Sequence, residues 1–474
     1  MDLSYNEFQF LMRQDLMSFI ERAFYELNPQ TVLSKSPHIE VLASKLEACR
    51  QGKTKRLIVN LPPRSLKSHA VTVAFPAWLL GHNPAIQIIC ASYGQELADK
   101  HARDCRTLIM SEFYQKLFPR TRLSSEKKSV NEFLTTGEGF RMSTSVGGVL
   151  TGRGADIIIL DDPLKPDEAL SETRRTCVNE WYDNTLVSRL NSKERGIIII
   201  VMQRLHQDDL VGHVLGQQGW EVLSFPAIAE EDEVHLIESA WGRRRFERKI
   251  DEVLQPDRES RRTLENIRAT IGSYNFASQY QQTPVSLGGA IIKTEWLKYY
   301  GPWELSGRFI CVVQSWDTAN KSGELNDFSV CTTWGASSDC YYLLDVFRKR
   351  LDYPGLKRAV HEQTRQHKAD IILIEDKASR TQLIQDLRVE GLYVKPYDPL
   401  PGNDKILRLY AQSAEFESGR VLLPRSAPWL DEYVREITAF PGTKYDDQVD
   451  STTQALDHLK NHSSLLVWAK LGSS

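Results

Sequence analysis

FICVVQSWD, residues 309–317, is an apolar run of strand length that ends in an acid. β-branched and aromatic residues dominate it, so it reads as a buried strand with Asp317 at its end. The pattern returns in ADIILIE, residues 369–375, which ends in Glu375. A third acid, Asp447, lies in KYDDQVDSTTQAL, residues 444–456, where a helix is expected to start. A buried strand rarely ends in an unpaired charge, because such a charge is expensive. Three acids gathered from distant segments would repel one another unless cations sat between them. Mg²⁺ takes hard oxygen ligands in near-octahedral geometry. Two such ions about 4 Å apart activate a water and stabilise the leaving oxygen of a phosphodiester. Taken singly, each acid reads equally well as a strand-end cap; as a set they predict a metal-dependent nuclease.

The bulk numbers fit a globular enzyme of more than one domain. The chain has 474 residues, 26% charged and 41% hydrophobic, enough for two or three separate cores. Its formal net charge of −3 gives no global signature of nucleic-acid binding, so any DNA contact must come from local patches. The first residues, MDLSYNEFQFLMRQD, lack a secretory pattern, and no run approaches the roughly 20 apolar residues of a membrane span. The seven cysteines are scattered and never form a CxxC pair, which predicts reduced thiols in a cytoplasm and no zinc site.

Four segments follow along the chain. Residues 1–50 read as helical, with apolar residues at three- and four-residue steps. Residues 51–229 alternate strand and helix: RLIVNLP, SHAVTVAFPAWLLG, IQIICAS, QELADKHARDCRTLIM, ADIIILDDP, SETRRTCVNEWYDNTLVSRL and GIIIIVMQ. That rhythm predicts a largely parallel sheet covered on both faces. Residues 230–290 are charged and contain Pro256 and Pro284, so they read as a linker or small bridging subdomain. Residues 291–474 form a second α/β unit that opens with a strand meander.

The loop after RLIVN reads Leu61-Pro62-Pro63-Arg64-Ser65-Leu66-Lys67-Ser68. It lies between a strand and a helix, where backbone N–H groups hold phosphate. Residues Pro63 to Ser68 are the expected ATP-binding loop, with Lys67 reaching the β- and γ-phosphates and Ser68 ligating Mg²⁺. Both glycine positions of the usual GxxxxGK[ST] pattern hold leucine, Leu61 and Leu66, and a Cβ at Leu66 restricts the backbone. ADIIILDD supplies the other half: Asp161 to hold Mg²⁺ and Asp162 to orient or deprotonate the attacking water. Arg64, Arg141 and Arg153 are candidates for the arginine that meets transition-state charge, Arg141 foremost. Gln203, which ends GIIIIVMQ, is placed to sense the γ-phosphate.

Taken together, these residues resemble the large subunit of a tailed-phage terminase, the motor that packages viral DNA. RLIVNLPPRSLKS, LTGRGADIIILDDPLKP, VMQRLHQDDLVG, IGSYNFASQYQQTPVSLGGAIIK, SWDTANKSGELNDFSV, IEDKASRTQLIQDL and FPGTKYDDQVDSTTQAL occur in the family's order, from about residue 35 onward. A gene transfer agent or prophage remnant would look the same. The resemblance implies an N-terminal ASCE-type P-loop ATPase domain and a C-terminal RNase H-like nuclease domain. It implies ATP-driven translocation of double-stranded DNA into a procapsid and cleavage of concatemeric DNA. The alternative is a two-metal endonuclease whose ATPase domain is degenerate and structural. By position, Lys67 and Ser68 become the Walker A pair, Asp161 and Asp162 the Walker B pair, and Gln203 part of the coupling motif. Asp317, Glu375 and Asp447 become the nuclease triad, with Mg²⁺ or Mn²⁺. Asp450 is the expected fourth ligand, since i and i+3 share a helix face; Asp446 competes with Asp447, and Asp327 assists. Leu66 for Gly, Gln203 for Thr and Tyr445 for a common His depart from the family pattern.

Arg243, Arg244 and Arg245, with Arg248 and Lys249, are the expected DNA-backbone contacts, and Lys127-Lys128 a second candidate. No base-reading motif is present. The resemblance implies a portal protein and a small terminase subunit as partners. It also implies a homo-oligomeric ring during packaging, with a monomer in solution equally compatible, and the host cytoplasm as location, with no membrane partner.

Overall fold

The structure, a computed structural model, describes residues 5–148, 150, 152–284, 290–305, 309–318, 328–375, 381–398, 405–442 and 446–471. The chain divides into two compact units, Met1–Arg268 with Ser273–Ser286 and Ala269–Gly272 with Leu287–Ser474.

The first unit is built on eight strands: β1 (Arg56–Asn60), β2 (Gln87–Ser92), β3 (Leu123–Lys128), β4 (Glu132–Thr135), β5 (Phe140–Ser145), β6 (Ile157–Asp161), β7 (Ile197–Met202) and β8 (Glu221–Ser224). They lie in the order β3-β4-β5-β2-β6-β7-β1-β8. From β5 to β8 every pairing is parallel. A parallel strand covered on both faces needs apolar residues throughout. IIILD and IIIIVM meet that requirement, and every residue of β6 and β7 is buried. Alternation along β1 sends Leu57 and Val59 into one core and Ile58 into the other. The first core includes residues of the helices Leu16–Leu27, Pro37–Arg50 and Gln95–Met110. β7 lies between β1 and β6, the order of an ASCE-type ATPase. The antiparallel edge β3-β4-β5 is absent from the sequence reading, because SSEKK and FRMSTS are short, polar and without clean alternation.

Residues 233–248 form an antiparallel hairpin of β9 (Glu233–Ser239) and β10 (Gly242–Arg248). Ile237 is buried in the first core and Phe246 packs against it. Charged composition hides the alternation of VHLIES in the sequence.

The second unit has seven strands: β11 (Lys298–Tyr300), β12 (Cys311–Asp317), β13 (Ser329–Ala336), β14 (Tyr341–Lys349), β15 (Ile371–Glu375), β16 (Val394–Tyr397) and β17 (Val421–Pro424). Their order is β11-β17-β14-β13-β12-β15-β16. β12, β13 and β14 form an antiparallel meander, and β15 and β16 extend it in parallel from β12. Val313, Ile371 and Leu373 face a core shared with the helix Asp447–Leu471. Trp316, Ile372 and Ile374 face the helices Tyr353–His367 and Thr381–Val389.

No helix of the described residues is long and apolar enough to cross a membrane. All seven cysteines are free thiols.

Candidate functional site

In the first unit, the loop expected to bind phosphate leaves β1 and enters a π-turn, His69–Ala74, that continues as the helix Phe75–His82. Leu61 is buried, and its N–H donates to Met202 O (3.3 Å), so it prolongs the sheet and needs no glycine. Arg64 and Leu66 are left-handed, with φ of 58° and 63°. A side chain in that region costs about 1–2 kcal/mol. Leu66 therefore takes the glycine conformation despite its Cβ, and its side chain packs against the first core.

The expected acids are gathered at this loop. Ser68 Oγ donates to Asp161 Oδ1 (3.0 Å), and Thr72 Oγ1 donates to Asp161 Oδ2 (2.6 Å). Lys67 Nζ lies 3.6 Å from Asp162 Oδ2. Burial raises the pKa of Asp161, opposed by Thr72, Lys67 and Ser68. Burial also raises Asp162, opposed by Lys67 and reinforced by the charge of Asp161. Asp162 is left-handed (φ 44°), and its Oδ1 accepts from Gln203 N (3.3 Å). The Gln203 side-chain Oε1 is buried and makes no hydrogen bond among the described residues.

Two residues the sequence reading passed over complete this cluster. Thr72 stands one helical turn past Ser68, so its place was implicit in the spacing. His101, from the helix Gln95–Met110, has Nδ1 3.4 Å from Asp161 Oδ2. Burial pushes its pKa down to about 4, with Arg141 acting the same way, so the contact is with a neutral ring at neutral pH. No sequence signal marked it.

Arg141, expected to meet phosphate charge, has a side chain wholly buried on β5. Its Nη2 donates to Thr72 O (3.2 Å), in the turn that follows the loop. There its charge favours the ionised form of Asp161. Arg153 pairs with Glu132 (2.7 Å), whereas Arg64 is exposed on the loop itself.

The buried histidines set a pH dependence. Burial pushes both His38 and His101 down to about 4 from 6.5. Below pH 6.5 the unfolded chain binds protons that the folded chain refuses, so acidification from 6.5 towards 4 destabilises this unit. Each group contributes at most about 3 kcal/mol. Melting temperature followed against pH is expected to fall over that window, and His101→Asn to flatten the fall; an unchanged profile in the variant would remove His101 from the account.

In the second unit, Trp316 pairs with Ile374 in parallel register, so Asp317 and Glu375 stand one step further on at adjacent strand ends. Alternation puts both on the face shared with Val313 and Leu373, the face covered by the helix Asp447–Leu471. Both are buried. Ser451 fixes this helix to the sheet: its Oγ donates to Ser315 O (2.7 Å) and accepts from Thr332 N (3.0 Å). Further along, Leu459 shares a cavity wall with Ile310 and Ala336, so the helix runs antiparallel to β12. Asp447 lies one turn before Ser451, about 6 Å along the helix. Asp317 lies two residues past Ser315, about 6.6 Å along the strand. The two acids therefore reach the same end of the sheet. Ser451→Ala is expected to cost about 1–3 kcal/mol, because it removes two buried hydrogen bonds between helix and sheet. Cleavage should fall with it; a variant that melts like wild type would discard the tether.

Asp450, the expected fourth ligand, is ion-paired on both oxygens. Its Oδ1 pairs with Arg408 (2.7 Å) and its Oδ2 with Lys405 (2.7 Å), so both oxygens face cations. Lys405 also pairs with Asp446 (2.7 Å). Burial alone would lower Lys405, but Asp446 and Asp450 hold it well above its ordinary value. Asp447 has no ion pair among the described residues, and burial and the charge of Asp446 raise its pKa. Among the described residues no three His, Cys, Asp or Glu side chains stand close enough together to form a ready metal cage. The fold itself brings together the Asp317–Glu375 pair, and the helix carries Asp447 to the same end. Asp327 and Tyr445 lie outside the described residues.

The arginine run does not form one cationic face. On β10, alternation puts Arg243 and Arg245 on one side and Arg244 on the other. Arg243 pairs with Glu238 (2.9 Å), Arg245 lies 3.9 Å from Glu247, and Arg244 pairs with Glu40. Arg248 is buried on Glu233 (3.2 Å), and Lys249 pairs with Asp232 (2.9 Å). The side chains of Lys127 and Lys128 lie outside the described ones.

Residues 314–459 match the family described as the Terminase RNaseH-like domain. The match begins on β12 before Asp317 and ends within the helix that carries Asp447. The whole chain has the fold of a phage large terminase. It is similar to the large terminase of a thermophilic bacteriophage, with a TM-score of 0.55 and 11% identity over 90% of this chain and 99% of that one. The same phage protein in complex with ADP gives 0.53 and 13%, over 89% and 98%. Its complex with ATP-gamma-S gives 0.52 and 12%, over the same shares. No curated protein sequence matches the chain.

Proposed function

We propose that this chain is the large subunit of a DNA-packaging terminase: an ATP-driven translocase of double-stranded DNA joined to a metal-dependent endonuclease. The observation that carries the reading is the presence in one chain of two separate acid sites. One is Lys67-Ser68 against Asp161-Asp162 in an ASCE-ordered sheet, and the other is Asp317 beside Glu375 in a terminase RNase H-like domain.

In the first unit, backbone N–H groups of residues Pro63 to Ser68, proline excepted, would hold nucleotide phosphates, and Lys67 would offset their charge. Ser68 and Asp161 are hard oxygen donors, as Mg²⁺ requires. Asp162 would orient the attacking water, with Gln203 beside it. Arg64, exposed on the loop, is the arginine placed to meet phosphate. The orphaned Gln203 carbonyl and the left-handed Leu66 favour a working nucleotide site over a degenerate one. The thermophilic phage protein of like fold binds ADP and ATP-gamma-S, which supports the same class of ligand here.

In the second unit, Asp317, Glu375 and Asp447 offer only carboxylate oxygens, the donor set that Mg²⁺ and Mn²⁺ take. Divalent cations there would supply an activated water and neutralise the leaving oxygen. The pairing of Lys405 and Arg408 with Asp446 and Asp450 supports Asp447 as the helix's ligand. Arg243 and Arg245 remain candidate DNA contacts on one face of the hairpin. A portal protein, a small terminase subunit and a ring of copies in the host cytoplasm complete the proposed setting.

The test is plasmid cleavage by the purified chain with Mg²⁺ or Mn²⁺, with EDTA as control and ATP hydrolysis followed in the same tubes. Metal-dependent cleavage together with ATP turnover is the expected result. Neither activity, with portal and DNA supplied, would overturn the reading.

A further inference from the structure

The phosphate loop carries side chains at both of its left-handed positions, Arg64 and Leu66, where a glycine would need no outside support. Two groups from distant parts of the first unit bond its carbonyls next to those positions. His38 Nε2 lies 3.3 Å from Ser65 O, and Arg258 Nη1 donates to Arg64 O. A carbonyl only accepts, so His38 carries its proton on Nε2, and its Nδ1 accepts from Ser36 Oγ (2.7 Å). His38 is wholly buried. Arg258 is itself held, by Gln255 Oε1 (3.3 Å) and Glu259 Oε1 (3.0 Å).

A trans peptide is planar, with C=O and N–H pointing in opposite directions. Arg64 C=O shares its plane with Ser65 N–H, and Ser65 C=O shares its plane with Leu66 N–H. Anchoring the two carbonyls on Arg258 and His38 therefore turns the two N–H groups to the opposite side of the loop, free to meet an anion there. The loop's own sequence does not favour this arrangement, because Arg and Leu both resist positive φ.

We propose that His38 and Arg258 are positioning residues that brace a glycine-free phosphate loop in its anion-binding conformation. The inference rests on the nucleotide reading of this loop and adds how the loop keeps its shape without glycine. Neither residue touches the nucleotide; each acts through a backbone carbonyl.

Arg258→Gln tests it in the full chain, since Arg258 is only half-buried and its loss spares the core. Amide hydrogen exchange across residues 61–70 is expected to quicken about tenfold or more, the scale of one lost charged hydrogen bond, while exchange in β6 and β7 stays unchanged. Affinity for a fluorescent ADP analogue should fall by a similar factor. Arg258→Lys should restore part of it, and adding Leu66→Gly to Arg258→Gln should restore most of it. Unchanged loop exchange in Arg258→Gln would overturn the brace, as would quickened exchange throughout the unit with a lowered melting temperature. Local quickening in a chain that never binds the ADP analogue would uphold the brace and count against the nucleotide reading instead.

Discussion

Replacing Asp317 by Asn is expected to lower metal-dependent DNA cleavage on the order of a thousandfold and to leave ATP turnover unchanged. The change keeps the shape of the side chain and removes its charge. Asp317 and Glu375 end adjacent parallel strands on the same face, so together they form the anionic pair on which a divalent cation would sit. A cation in such a site contributes several kcal/mol to the barrier, and each 1.36 kcal/mol is a factor of ten. A second readout separates metal binding from chemistry. Mg²⁺ or Mn²⁺ that binds the folded state should raise the melting temperature of the wild-type chain. The variant should lose the part of that rise that comes from the second unit. ATP hydrolysis, which the proposed function assigns to Lys67, Ser68 and Asp161 in the other unit, should not respond. A variant that cuts plasmid at the wild-type rate and keeps the whole metal-dependent rise would remove Asp317 from the site.

The two acid sites differ in how far their sequences disclose them. Asp317 and Glu375 were legible because each ends an apolar run whose residues must all be buried, and an acid there stands out against its neighbours. Asp447 was legible by position, and the choice between it and Asp446 was not. What distinguishes them is Lys405, which arrives from a helix some forty residues earlier and pairs with both Asp446 and Asp450. The i, i+3 rule correctly puts Asp450 on the face of Asp447, but it says nothing about what else reaches that face. Arg141 shows the same blindness: a buried arginine and an exposed one look alike in a sequence, and β5 itself went unread. The arginine run was hidden in a different way. VHLIES carries a period of two, and reading it as a strand would have split Arg244 from Arg243 and Arg245. Leu66 shows a rule relaxed by context, because the φ that glycine permits is here held by groups 28 and about 190 residues away.

Lys67→Met is expected to reduce ATP turnover about a hundred- to a thousandfold, the range found for removing one preorganised charge-stabilising donor, with plasmid cleavage retained. The substitution keeps the bulk of a side chain that is almost wholly buried. Its second consequence is electrostatic. Asp161 and Asp162 already have raised pKa values because burial disfavours their charge, and Lys67 opposes that rise in both. Without Lys67 both should rise further. An acid whose folded pKa lies above its unfolded value contributes stability below the unfolded pKa and loses it as pH climbs through the folded one. The variant should therefore fall furthest below wild type at neutral pH, and the gap should narrow as the pH drops towards 5. His38 is common to both chains, so its acid destabilisation cancels in the difference, whereas His101, against Asp161, shifts with the acid pair. Melting temperatures of the two proteins at pH 5, 6, 7 and 8, measured without nucleotide, give the comparison. A constant gap would mean that Lys67 does not hold these carboxylates ionised, and wild-type ATP turnover in the variant would take Lys67 out of the phosphate site altogether. The expected pattern, lost turnover with a gap that closes in acid, would tie the same ammonium group to both the nucleotide and the acid pair.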